Sequence, residues 1–311
     1  MNRKSTLLLS FLFFLTGTVT AQSAKADTTL EGRWDLTISQ SGQQLPSWLE
    51  VRHSGTHTLI GQFVSTSGSA RPISKVHVTG NQFRFAIPPQ WERGAGDLVV
   101  EGQLASNQIS GTITYPDGSK HNWTGVRAPA LRRQKEPQWG SPIQLFNGKD
   151  LTGWKALGTM QWVVENGILK SPKSGANLVS EAKFDDFKLQ VEFRYPKGSN
   201  SGVYLRGRYE VQISDSKGLE PLVGELGAIY GFLAPNEQVA KSPGEWQTYE
   251  ITLVGRLVTV VANGKTIICN QEIPGITGGA LDSKEGEPGP ILIQGDHGPI
   301  EYRRIVITPA R

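Results

Sequence analysis

Apolar and polar residues alternate in short runs broken by glycine along most of this chain, and that period of two restricts it to an all-β fold. Trp34-Asp35-Leu36-Thr37-Ile38, Trp48-Leu49-Glu50-Val51 and His57 to Phe63 each read as a strand with one buried face. Val76-His77-Val78, Asn81 to Ile87, Asp97 to Leu104 and Gln108 to Thr114 continue the pattern, with turn residues about every ten positions. Roughly six to eight strands in this stretch predict a small antiparallel β-barrel or sandwich. No apolar spacing of helical period occurs there.

The pattern resumes near Pro142 and runs to the C-terminus, through Gln161 to Leu169, Phe187 to Tyr195, Val203 to Ile213, Trp246 to Leu253 and Leu257 to Ala262. Asn263-Gly264 separates Val258-Thr259-Val260-Val261 from Thr266-Ile267-Ile268. Both turn residues accept positive φ, so a tight hairpin is expected. Antiparallel strands over this length predict a two-sheet jelly roll. Residues 131–141 are polar, with Pro129 and Pro137 at hand, and read as a linker. The chain therefore divides into a small all-β domain at 27–130 and a jelly-roll domain at 142–311. Each is expected to fold alone, the second keeping any activity.

Residues 1–26 have the form of a secretory signal peptide: Arg3 and Lys4, an apolar run from Leu7 to Leu15, then small residues ending Val19-Thr20-Ala21 or Ala24-Lys25-Ala26. The run is too short to span a bilayer, and no membrane-length apolar stretch follows it. An exported protein, periplasmic or secreted, is expected. The formal charge of +4 falls to +1 once Arg3, Lys4 and Lys25 are removed, so basicity is no argument for a nucleic-acid partner. The single cysteine, Cys269, excludes an intramolecular disulfide or a cysteine zinc cluster. Its place in a hairpin strand predicts a small buried apolar residue. His53 and His57 are four apart, but Ser54-Gly55-Thr56 between them reads as a turn, which removes the helical spacing of co-ligands. Phosphate-cradling and dinucleotide-binding glycine motifs are absent.

Two polar constellations stand out. In Asn200 to Ile213, Val203, Leu205, Val211 and Ile213 share one strand face, while Tyr204, Arg206, Glu210 and Gln212 share the other. If Arg206-Gly207-Arg208 turns the chain, the facing of the two halves must be settled separately. Such a polar face is either a binding floor or a solvated surface. In Gln294-Gly295-Asp296-His297-Gly298, a histidine beside a carboxylate sits between glycines, where Asp296 could fix its tautomer, bind a cation or simply stabilise a turn.

The second half resembles the 3-keto-disaccharide hydrolase (3-keto-glucoside lyase/hydratase) family. The resemblance rests on Phe146 to Trp154, Trp162 to Leu169, Asn200-Ser201-Gly202 through Arg206, Tyr209 to Ile213, Gly227-Ala228-Ile229-Tyr230-Gly231, Gly244 to Glu250 and Gln294 to Arg304. It does not reach residues 27–130. It implies a concanavalin-like jelly roll and a carbohydrate substrate, with one sheet as the sugar floor. On that floor it implies Arg206, Glu210 and Gln212, with Asp296 and His297 on a rim loop. The expected chemistry starts from a sugar oxidised at C3, whose C2 hydrogen is acidified. A base removes that hydrogen, the aglycone leaves C1, and water adds to the enone. Glu210 or His297 serves as base, His297 could instead protonate the leaving oxygen, and Arg206 stabilises the enolate. Tyr204, Trp246 and Asn200 are candidates for sugar binding with Gln212 and Asp296. A required cofactor is not evident, and a divalent cation at Asp296, His297 or Glu210 stays open. A non-catalytic lectin-like module and a conventional two-carboxylate glycosidase are the alternatives.

Overall fold

The computed structural model describes residues 29–133 and 135–311; the signal-like segment 1–26 lies outside them. The first strands are β1 (Gly32–Gln40), β2 (Gln43–Ser54), β3 (Thr58–Val64), β4 (Arg71–Thr79), β5 (Gln82–Ile87), β6 (Leu98–Ala105), β7 (Gln108–Thr114) and β8 (Lys120–Arg127). Each pairs antiparallel with the next, and β8 returns to β1, closing an eight-stranded barrel. Alternation fills its interior: Trp34, Leu36 and Ile38 of β1, Leu49 and Val51 of β2 and Phe63 of β3 belong to one buried cluster. Closure leaves this sheet without a free edge. His53 lies at the end of β2, and the chain turns at Gly55-Thr56-His57 before β3, so a turn separates the two histidines as the Ser-Gly-Thr sequence predicts.

The second half contributes β9 (Ile143–Gln144), β10 (Trp154–Leu157), β11 (Val163–Glu165), β12 (Ile168–Ser171), β13 (Asn177–Phe184), β14 (Phe187–Arg194) and β15 (Asn200–Leu205). It continues with β16 (Tyr209–Ser214), β17 (Gln247–Val254), β18 (Leu257–Ala262), β19 (Lys265–Glu272), β20 (Gly289–Ile293) and β21 (Ile300–Pro309). They form a five-stranded sheet, β10-β13-β20-β15-β16, and a longer sheet, β11-β12-β21-β14-β17-β18-β19. A second core lies between these sheets, with Val203, Val211 and Ile293 from one and Leu189, Tyr249 and Ile305 from the other. The fold is all-β, a barrel followed by a two-sheet jelly roll. Among the described residues no helix is long and apolar enough to cross a membrane.

The predicted hairpin at Asn263-Gly264 joins β18 to β19, with φ of 50° and 80° at the two residues. Cys269, expected to be buried, is exposed. Register shifts in the β18–β19 ladder turn Ile267 and Ile268 inward in succession, so the next residue points out.

The barrel and the jelly roll share buried surface. Trp48 of β2 is fully buried, yet it belongs to the jelly-roll core, edge-on to Phe232 with ring centroids 5.2 Å apart. Val64 joins it there. Arg33 pairs with Glu272, the Ser283 hydroxyl donates to the Leu36 carbonyl, and the Gly279 N–H donates to the Thr66 carbonyl at 3.3 Å. Asp35 of β1 is raised above the usual carboxylate range by burial and by the neighbouring charge of Glu285.

Candidate active site

β15 and β16 form a hairpin whose register sets Tyr204 opposite Glu210 and Gly202 opposite Gln212. Val203 and Val211 face the core, so Tyr204, Glu210 and Gln212 face the other way, as alternation predicts. This face is not solvated: Tyr204, Glu210 and Gln212 are only 3%, 4% and 3% exposed. The segment after residue 223 covers β16. Tyr230 donates its N–H to the Glu210 carbonyl at 3.0 Å, and Gln212 donates to the Ala228 carbonyl at 2.9 Å. What remains is a cavity of about 440 Å³ walled by Tyr204, Glu210, Gln212, Asn200, Asn177, Tyr230, Gln294, Asp296 and His297. Its size is within the ordinary range for small-ligand sites.

Glu210 sits over bare backbone. A Cβ at Gly202 would lie 2.3 Å from its Oε1, so glycine at that position makes room for the carboxyl. Burial pushes the Glu210 carboxyl up to about 8; the Tyr204 hydrogen bond and the charge of His297 oppose this, and the charge of Asp296 adds to it. The hydrogen bonds support a protonated carboxyl. The Tyr204 hydroxyl lies 2.9 Å from Glu210 Oε2 and 3.0 Å from the Gly278 carbonyl, and its single proton serves one of them. If it goes to Gly278, Glu210 must donate to Tyr204.

His297 and Asp296 stand on the loop after β20, with side chains about half exposed. His297 Nδ1 lies 2.7 Å from Asp296 Oδ1, and a carboxylate there favours the proton on Nδ1 and leaves Nε2 to meet a ligand. This contact raises the imidazole against the opposing effect of its burial. Asp296 is held below its ordinary value, because hydrogen bonds from His297 and Asn177 outweigh burial. Asn177 fixes the loop, its Oδ1 accepting the Gly295 N–H at 2.7 Å and the Asp296 N–H at 3.2 Å. Gln212 and Gln294 are both buried, and the Oε1 of each has no hydrogen-bond partner. Orphaned acceptors beside a cavity are what a bound hydroxyl group would satisfy. Among the described residues no group of three or more His, Cys, Asp or Glu is gathered to hold a metal ion.

Two expected site residues lie elsewhere. Arg206 starts the turn between β15 and β16 at φ 53°, where strand alternation no longer governs facing. Its buried guanidinium donates to the Tyr209 hydroxyl at 3.1 Å and the Gly255 carbonyl at 2.9 Å, away from the cavity. Trp246 packs against the guanidiniums of Arg194 and Arg303, residues of the longer sheet, at 4.7 and 4.4 Å from its ring. Its ring is engaged there and does not line the cavity.

Other cavity residues went unread. Asn177 lies in a stretch with no chemical signature of its own, and Tyr230 lies in a block that carries the family resemblance but offers no charged or nucleophilic side chain to mark it. Ser67, Gly68 and Trp91 come from the barrel. The available signal was Trp91 itself, a large aromatic within the polar loop Pro88-Pro89-Gln90-Trp91-Glu92-Arg93-Gly94.

Residues 141–308 match the 3-keto-alpha-glucoside-1,2-lyase-like domain. A 3-keto-disaccharide hydrolase of Bacteroides thetaiotaomicron is 26% identical over 166 residues, which cover 40% of this chain and 57% of that protein. The matched region thus spans little more than half the length of that relative. Among solved structures, a glycosyl-hydrolase candidate from Parabacteroides distasonis is 28% identical at a TM-score of 0.47, covering 58% of this chain and 96% of its own. The kappa-carrageenase of Pseudoalteromonas carrageenovora is 11% identical at a TM-score of 0.37, covering 59% and 99%.

Proposed function

Because the chain belongs to the 3-keto-alpha-glucoside-1,2-lyase-like family, we propose that it cleaves 3-keto-glycosides by elimination followed by hydration. The observation that carries this reading is the pairing, in one cavity, of a buried carboxyl raised to about 8 with an Asp-oriented histidine. A neutral buried carboxyl can give up a proton and a histidine whose Nε2 is left free can take one, and that pair is the apparatus of acid–base chemistry.

In this reading His297 Nε2 removes the C2 proton, which the C3 ketone has acidified. Electrons move into a C1–C2 double bond as the C1–O bond breaks, and neutral Glu210 gives its proton to the departing oxygen. Water then adds across the enone, oxygen to C1 and hydrogen to C2, so the net change is hydrolysis. Asp296 stabilises the imidazolium that forms. Gln212, Gln294 and Asn200 supply polar contacts to sugar hydroxyls. Arg206 takes no part in holding the enolate, since its guanidinium is committed outside the cavity.

Reaction in heavy water tests the route. Cleavage of a 3-keto-glucoside is expected to leave deuterium at C2 of the sugar product, because that carbon is reprotonated from solvent. Cleavage without label at C2 would exclude elimination. Equal turnover of plain glucosides would favour a conventional glycosidase, and binding without any turnover would favour a lectin-like module.

Export belongs to the same proposal, supported by the basic-apolar-small order of residues 1–26. Mass spectrometry of the protein from its native cell is expected to find a mature N-terminus just after Ala21 or Ala26. An intact Met1 would refute it.

A further inference from the structure

Trp91 is 67% exposed, yet the loop that carries it is held from several sides. Arg71 and Glu92 form a nearly buried two-pronged ion pair at 2.8 and 3.2 Å, and Arg71 also donates to the Pro88 carbonyl at 3.0 Å. Glu92 Oε2 accepts the N–H groups of Gln90 at 2.8 Å and Trp91 at 3.1 Å. The Gln90 amide spans to the neighbouring loop, accepting from the Ser69 N–H at 2.9 Å and donating to the Ser69 hydroxyl at 2.7 Å. The indole edge lies on Gly68, where a Cβ would come within 2.8 Å of the ring. An indole kept largely in water on so well-secured a backbone gains nothing for the barrel's own core. It does stand at the mouth of the cavity that holds Glu210 and His297.

The loop's position relative to the jelly roll is also set. The backbone at Gly278 packs on Gly68, and the backbone at Gly231 packs on Ser69 and Ala70. The barrel therefore forms part of the cavity wall. A substrate whose C1–C2 edge lies between buried Glu210 and half-exposed His297 sends its leaving group toward that mouth. The flat C–H face of a pyranose matches an aromatic face there, and a preformed platform avoids the entropy of ordering it on binding.

We propose that the barrel supplies the leaving-group subsite and that Trp91 is its platform, stacking on the second pyranose ring of a 3-keto-disaccharide. This rests on the proposed reaction for the identity of the first ring. It makes the N-terminal barrel a determinant of specificity, in a region that the family match does not include.

The test compares a 3-keto-disaccharide with its methyl 3-keto-glucoside counterpart, which lacks the second ring. In Trp91→Ala the ratio of the two kcat/KM values is expected to fall about five- to tenfold against the disaccharide, carried by KM, with Trp91→Phe restoring part of the loss. An unchanged ratio would overturn the subsite, whether both substrates suffer equally or neither does. Binding is read separately from turnover by titrating the disaccharide calorimetrically into Glu210→Gln and into Glu210→Gln with Trp91→Ala. A Trp91-dependent affinity in a chain that cleaves no 3-keto-glycoside would retain the subsite and reject the reaction. An affinity independent of Trp91, or no binding at all, would reject the subsite. An aryl 3-keto-glucoside favoured over the disaccharide in a Trp91-dependent way would reject the pyranose as its occupant.

Discussion

Glu210→Gln is expected to lower kcat by roughly 10²- to 10⁴-fold while making the folded protein more stable near neutral pH. The two effects share one cause. In the unfolded chain this carboxyl titrates at its ordinary value of 4.5, whereas burial in the fold moves it to about 8. Between those values the folded chain keeps a proton that the unfolded chain has released. Stability is therefore free of this penalty below about pH 4.5, falls as pH rises through the window, and stays reduced above about pH 8, at ~1.4 kcal/mol per pH unit. The full penalty is on the order of 3–5 kcal/mol for a site only 4% exposed. Glutamine has nearly the same shape, can still hydrogen-bond Tyr204, and does not titrate. Urea unfolding at pH 5, 7 and 8.5 should show the variant's advantage growing with pH. Curves that run parallel at all three values would mean that Glu210 is ionised in the fold, and would remove it as the acid.

Trp48→Ala is expected to destabilise the protein by about 3–5 kcal/mol, the usual cost of emptying a buried aromatic site. The residue is on a barrel strand, but the cavity would open in the jelly-roll core beside Phe232. Loss of stability should therefore appear in both parts at once. Wild-type unfolding, followed by fluorescence and by calorimetry, is expected to give one cooperative transition. Two separable transitions, with Trp48→Ala shifting only one, would show that the shared contacts do not couple the parts. The same contacts argue against the independent folding expected from the linker composition. A fragment of residues 142–311 would expose the surface that Trp48 and Val64 cover, and would lack the wall formed by Ser67, Gly68 and Trp91.

Trp48-Leu49 shows why that coupling was hard to read. Alternation assigns one of two adjacent residues to the surface, and here both are fully buried: Leu49 fills the barrel, while Trp48 enters the neighbouring core. Adjacent large apolar residues in an otherwise alternating strand were the only local sign. Cys269 was misread for a related reason, since a register shift reverses the facing that a regular ladder would give. Arg206 shows the limit at a turn, and Trp246 shows that an aromatic near a candidate floor can belong to the opposite sheet.

By itself, the sequence determined what depends on local periodicity and on short-range turn chemistry. Seven of the eight barrel strands and the shared facing of Glu210 and Gln212 follow from alternation within a strand, and the Asn263-Gly264 hairpin follows from its turn residues; that Tyr204 shares the face of Glu210 was settled by the β15–β16 register. The pairing of Asp296 with His297 is likewise a matter of neighbours in the chain. Only the tertiary structure decided that this polar face is a buried cavity, because the groups that cover it lie far away in sequence. Gly278 accepts a hydrogen bond from Tyr204, Tyr230 covers Glu210 from the edge of β16, and Trp91 reaches the mouth from the barrel. The upward shift of Glu210 has the same origin. It is a desolvation effect, and desolvation depends on everything packed around a group rather than on its neighbours along the chain.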